Sequence, residues 1–257
     1  MAESTLSFSF SDLKSEVGYF LGYGSDSAEW STSEETEIEK YVQSGIRQFY
    51  YPPAIEGVDT GYRWSWLTPV TTLTTVADDS DYDLPDDFGQ IAGSITFAAD
   101  SGYAPITVIN EGLLRAMQAD SDLTGHPRYA AIRFKTSDGS DGQRQEILFY
   151  PTPDAAYTLT YKYEAYNGKL TDANPYPLGG MACSELALES CLSVAEQRSE
   201  DKKGVHWDSF VRLLVSAIAR DKKNGAKYYG PMGNTSEYTQ TTRTRATSEI
   251  TYKGETW

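Results

Sequence analysis

The 257-residue chain sets 22 Lys and Arg against 37 Asp and Glu, a net charge of −15, and holds only two histidines and two cysteines. That length suits one large or two modest cores. The charge argues against a phosphate-binding surface, since DNA affinity draws on Lys and Arg that displace counterions, although an acidic wall would let DNA slide past. No apolar run approaches the ~18 residues a membrane span needs, and Met1-Ala-Glu-Ser-Thr5 lacks a basic start before an apolar stretch. The expectation is a soluble protein made in a reducing compartment.

The first predicted helix runs from about Ser11 to Gly22, with Ser11 as its cap and Leu13, Val17, Phe20 and Leu21 on one face; Gly22 and Gly24 end it. The second is announced by Ser31, Thr32 and Ser33 before Glu34 and Glu35, a capping-box arrangement that also puts acids at the positive end of the helix dipole. Ile38, Tyr41, Val42, Gly45, Ile46 and Phe49 follow at helical spacing, and Pro52 and Pro53 stop it.

From about Thr60 to Leu170 the period changes to that of strands. Tyr157, Leu159, Tyr161 and Tyr163 alternate with Thr158, Thr160 and Lys162, one face aromatic and the other polar. Ile147 to Tyr150 is apolar throughout and reads as a buried strand, and Pro151 to Asp154 is expected to turn it back onto the Tyr157 strand as a hairpin-like pair. Tyr129 to Phe134, Ile91 to Phe97 and Ile106 to Ile109 are further strand candidates. Glu111 to Asp120 reads as a short helix or a long excursion. Several short strands at such spacing suggest a small antiparallel sandwich or barrel.

After the joint Asn174-Pro-Tyr-Pro-Leu-Gly-Gly180, helical spacing returns with Cys183, Leu186, Ala187, Cys191, Val194 and Ala195, and ends in the charged run Glu200 to Lys203 before Gly204. Cys183 and Cys191 would stand ~12 Å apart on one helix, too far for a disulfide. A fourth helix carries Trp207, Phe210, Val211, Leu214 and Ile218 on one side, with Lys222 and Lys223 suited to its C-terminal end. None of these stripes is buried alone. The fold expected is therefore α+β: a four-helix bundle from residues 1–58 and 171–230, split by an inserted antiparallel β-sandwich or barrel at 59–170, with an extended tail at 231–257.

Chemistry is sparse. His206 starts a helix beside Trp207 and reads as packing; His126 lies in Thr124-Gly-His-Pro-Arg128 and reads as a turn. No nucleophile elbow, phosphate-cradling loop or zinc-protease helix occurs, so no catalytic, cofactor or metal residue is assigned. The acidic stretch Asp78 to Asp87 lacks the glycine and distal glutamate of an EF-hand and reads as a solvated edge, with an ion site or a basic docking partner as lesser readings. Trp64 and Trp66, at alternating positions of an expected strand, share a face and favour a core or subunit-contact role over a sugar platform. The threonine-rich tail cannot fold on itself and reads as disordered or, slightly favoured, as a docking strand, with Arg243, Arg245, Ile250, Tyr252 and Trp257 as its contact residues.

Four phrases in order, Tyr82-Asp-Leu-Pro-Asp-Asp-Phe88, Gln143-Arg-Gln-Glu-Ile-Leu-Phe-Tyr-Pro-Thr-Pro153, Tyr157-Thr-Leu-Thr-Tyr-Lys-Tyr163 and Asn174 to Gly180, resemble the head-to-tail adaptor (connector) proteins of tailed bacteriophages, of the tail tubular protein A-like kind. The resemblance spans about residues 10–225. It implies a structural, non-enzymatic protein of the virion neck, assembled in the host cytoplasm. It further implies a homo-oligomeric ring, usually of twelve copies, beneath the portal protein. A C-terminal extension would reach the portal, the next tail or neck component (nozzle, stopper or tail terminator) would lie below, and genome DNA would pass through the channel without specific binding or any membrane contact. The rival reading is a carbohydrate- or host-receptor-binding module built from the β block and its tryptophans.

Overall fold

A computed structural model describes residues 3–54, 61–99, 101–137, 139, 142–224, 251–252 and 255–256. The chain divides into two units, Met1–Ile218 and Ala219–Trp257. The first is mixed α+β.

Helix α1 spans Phe10–Phe20 and α2 spans Thr32–Tyr50, each opened by a complete capping box. In α2 the cap is Ser31 with Glu34 reaching back, as expected. In α1 it is Ser9 with Asp12, two residues earlier than Ser11, because Asp12 serves as the return acceptor usually supplied by Glu or Gln. Helix α4, Ser184–Glu200, follows a single 3₁₀ turn, and α5 spans Val205–Asn224, its C-terminal end lying in the second unit. One buried cluster takes Leu13 and Val17 from α1, Ile38, Val42 and Phe49 from α2, Leu186 and Cys191 from α4, and Phe210 and Leu214 from α5. Gly45 lets α2 and α4 touch: a Cβ there would lie 2.7 Å from the Cys191 backbone nitrogen. Ser190 seals the contact by donating to the Gly45 carbonyl at 2.8 Å. Both cysteines are buried, and burial pushes the Cys191 thiol up.

Between α2 and α4 lie two four-stranded sheets. In the first, β8 (Thr158–Ala165) is central, pairing antiparallel with β1 (Val70–Thr74) on one edge and with β3 (Phe88–Ile91) and β4 (Thr96–Phe97) on the other. Its alternation is as expected, Leu159, Tyr161 and Tyr163 being buried and Thr158 and Lys162 exposed. The second runs β2 (Asp81–Asp83), β7 (Gln145–Tyr150), β6 (Tyr129–Phe134), β5 (Thr107–Val108), with only the last pair parallel. The expected Ile91 to Phe97 strand is two strands, broken at Gly93 with φ 133°.

Ile147 and Phe149 of β7 share a core with Leu159 and Tyr161 of β8, whereas Leu148 and Tyr150 face Leu114 of α3 (Glu111–Asp120), which settles the 111–120 segment as a helix. Burial on both faces is why Ile147 to Tyr150 of β7 is apolar throughout. The expected hairpin between β7 and β8 does not form: β2 and β6 already occupy both edges of β7, and β1, β3 and β4 those of β8, so Pro151 to Asp154 carries the chain from one sheet to the other. Neither sheet closes into a barrel; the second is open at β2 and β5.

In the second unit, β9 (Thr251–Tyr252) and β10 (Glu255–Thr256) pair antiparallel, Tyr252 opposite Glu255.

Candidate functional site

The second half of α2 holds the segment that links β8 to α4. Gln43 grips Leu170 at both ends, its amide nitrogen donating to the Leu170 carbonyl at 2.7 Å and its oxygen accepting from the Leu170 N–H at 3.1 Å. The Tyr51 hydroxyl donates to the Ala165 carbonyl at 3.1 Å, and Tyr50 accepts from the Leu178 N–H at 2.9 Å. Burial raises both tyrosines above the ordinary phenol range. These three side chains fix the linker as the wall of a groove against α2.

One concavity of this groove, about 640 Å³, is lined by Lys40 and Arg47 of α2, Lys169 of the linker and Arg198 of α4. Lys40, Arg47 and Lys169 form no ion pair with any described residue, and Arg198 donates to Ser44 at 3.1 Å and lies over the Tyr41 ring. An adjoining concavity, lined by Arg47, Tyr50, Tyr166 and Lys169, reaches Asn167, whose buried amide nitrogen has no hydrogen-bond partner. In a chain of net charge −15 this gathering of donors stands out. Sequence reasoning missed it, because two of its cations come from α2, before β1, and two from the linker and α4, after β8.

Beside the groove, Glu37 accepts from the hydroxyls of Tyr41 at 2.7 Å and Tyr23 at 3.0 Å. The Glu37 hydrogen bond pushes Tyr41 up to about 12 and raises Tyr23 as well.

Elsewhere the ionisable groups hold the fold together. His206 Nδ1 meets Glu189 Oε2 at 2.9 Å and its ring stands edge-on to Phe20, joining α5 to α4 and α1 as a packing histidine. Glu196 accepts from the Gly204 N–H at 3.0 Å and closes the α4–α5 turn. His126 sits in a bend and stacks on Tyr103 at 4.4 Å. The acidic stretch is an exposed edge, as expected, and carries ion pairs: Asp81 and Asp83 face Arg133 and Lys135, Asp86 faces Arg144 at 3.5 Å, and Asp87 accepts from Tyr163 at 3.0 Å. The cations lie on the β6–β7 hairpin, which also buries Glu146 against Arg133 and Lys135.

Trp64 and Trp66 are not on a strand. They flank Ser65 at a 3₁₀ turn, Ser65–Leu67, stacked at 5.3 Å, with Trp64 fully buried and its indole N–H donating to the Phe49 carbonyl at 3.0 Å. They belong to the helical core, as the core reading expects. Of the tail residues expected to dock, Arg243, Arg245, Ile250 and Trp257 lie outside the described residues, and Tyr252 is described only as the end of β9.

Among the described residues no group of three or more His, Cys, Asp or Glu is placed to hold a metal ion, and no described helix is long and apolar enough to cross a membrane. What the geometry presents is a mixed α+β scaffold with a donor-rich groove between α2, the linker and α4. The family model described as SU10 adaptor protein matches residues 8–235, and the chain belongs to that family, the adaptors between phage head and tail. No curated protein matches it.

Proposed function

We propose that copies of this chain form a ring of about twelve beneath the portal protein, joining the capsid vertex to the tail and leaving a channel for the genome; head-to-tail contacts that close on themselves make such rings. The observation that carries this reading is the family match, which runs through the helices and the β insertion alike. Family membership implies a structural part of the virion neck that associates with other head and tail components, and a non-enzymatic role.

The finer assignments follow the three-part division 1–58 with 171–230, 59–170, and 231–257. The four helices, packed as a bundle around their shared core, supply the copy-to-copy and portal contacts. The insertion, its two sheets packed as a sandwich, faces outward or toward the nozzle, stopper or terminator below. The tail clasps the portal through Arg243, Arg245, Ile250, Tyr252 and Trp257, in the manner of tail tubular protein A-like adaptors. A net charge of −15 supports passage of DNA without specific binding, because an acidic wall repels the polymer. Assembly takes place in the host cytoplasm.

The test mixes the chain with its portal protein and compares the full length with a form cut after Gly230. Mass photometry is expected to show a portal-bound ring for the full chain and weaker capture for the shortened one. Equal capture of both removes the tail from the mechanism, and absence of rings from the full chain removes the ring.

A further inference from the structure

The groove and the opposite end of α2 differ in charge. Residues 1–40 hold nine acids and two lysines, about half of the chain's net charge. Asp26 and Glu29 sit on or beside an exposed 3₁₀ turn, Ser27–Glu29, and Glu34 and Glu35 occupy the first turn of α2. Hydrogen bonds from Ser31 hold the Glu34 carboxyl below its ordinary value, so it stays charged. The groove lies farther along the same helix, from Lys40 to Arg47, about 20 Å from Glu34 to Arg47 at 1.5 Å per residue.

Within the groove the balance is cationic. Lys14 bridges Glu39 at 3.5 Å and Glu35 of the corner at 3.6 Å, so the concavity itself sets Glu39 and Asp172 against four cations. Asn167 adds a buried N–H donor without an acceptor, a cost that a partner's carboxylate would remove. Of the insertion's acids, Asp81, Asp83 and Asp86 already face Arg133, Lys135 and Arg144. Two complementary patches at separate places on one rigid helix cannot meet within a copy. Between copies they form a heterologous contact, the kind that repeats into a ring.

We infer that the groove formed by Lys40, Arg47, Lys169, Arg198 and Asn167 receives the acidic corner, residues 26–35, of a second copy of this chain. The inference rests on the ring reading above and names the contact that builds it.

Two charge-reversed variants test it, K40E with K169E in the groove and E29K with E35K in the corner, all four residues lying outside the buried core. Matching circular dichroism and melting curves establish that each is folded. Rings on the portal are then counted by mass photometry. Each variant alone is expected to need at least about tenfold more protein than the wild type for half assembly, the scale of like charges brought face to face. A 1:1 mixture is expected to restore assembly, because each reversed groove then meets a reversed corner and each native groove a native corner in alternation. Rings from either variant alone at wild-type concentrations, or a mixture no better than its parts, overturn the groove contact while leaving the ring reading intact. A wild-type chain that forms no ring on the portal overturns the ring reading itself and the contact with it.

Discussion

The helices and the β insertion spend their charges differently. In the insertion Arg133, Lys135 and Arg144 neutralise Asp81, Asp83, Asp86 and the buried Glu146, all within one hairpin and its neighbouring strand and turn. Among the helices, Lys40 and Arg47 form no ion pair with any described residue, while Glu29, Glu34 and Glu35 lie at the far end of α2. Their packing differs as well. The helices meet through a glycine, Gly45 against Cys191, whereas the insertion layers two sheets and α3 around β7, buried on both faces. The insertion pairs these charges internally, whereas α2 holds its acids and its cations at separate places along one helix.

The sharpest way to separate the two regions is to open a cavity in one of them. Phe149→Ala, in the core shared by both sheets, is expected to cost about 4 kcal/mol, and amide exchange should show protection lost in β6, β7 and β8 ahead of α2 and α4. Simultaneous loss in both would make them one cooperative body. Overfilling the other region comes next. Gly45→Ala is expected to cost about 2–3 kcal/mol, lowering the melting temperature by roughly 4–12 °C, with α2 and α4 losing protection first. Ser31→Ala removes the α2 cap for about 1 kcal/mol, readable in a denaturant titration.

The smallest effect appears at high pH. Burial, helped by the neighbouring Tyr163 and Asp87, pushes Tyr161 up to about 12. The folded state therefore holds that proton more tightly than the unfolded chain, whose tyrosines titrate near 10. The stabilisation is fully present below pH 10 and is lost as the pH rises toward 12. Tyr163, raised to about 12 by burial and then by Asp87, behaves the same way, and Tyr41 of α2 joins them through Glu37. Tyr161→Phe is expected to leave neutral stability nearly unchanged and to flatten the alkaline decline followed by tyrosine absorbance and circular dichroism. An unchanged decline would place the alkaline sensitivity at groups other than Tyr161.

Local patterns were legible where one residue's chemistry decides the outcome. Ser31 with Glu34 marked the start of α2, and the alternation of Leu159, Tyr161 and Tyr163 marked the buried face of β8. Ser9 is harder to read as a cap because its return partner is an aspartate. Trp64 and Trp66 satisfy a two-residue period equally on a strand and at a 3₁₀ turn, and only the surrounding Phe49 and Tyr50 decide between them. The partners of β7 and β8 depend on edges filled by distant strands, which no local turn signal at Pro151 carries. The groove was least legible: Arg47, Lys169 and Arg198 converge only after the whole insertion has folded back.

The most direct measurement is a cryo-EM reconstruction of the chain bound to its portal. Adjacent copies are expected to meet through their helices, with Lys169 and Arg198 of one copy facing Glu29 and Glu35 of the next and the β insertion outside that contact. Copies joined through the insertion, or a single copy bound without a ring, would contradict this division of labour.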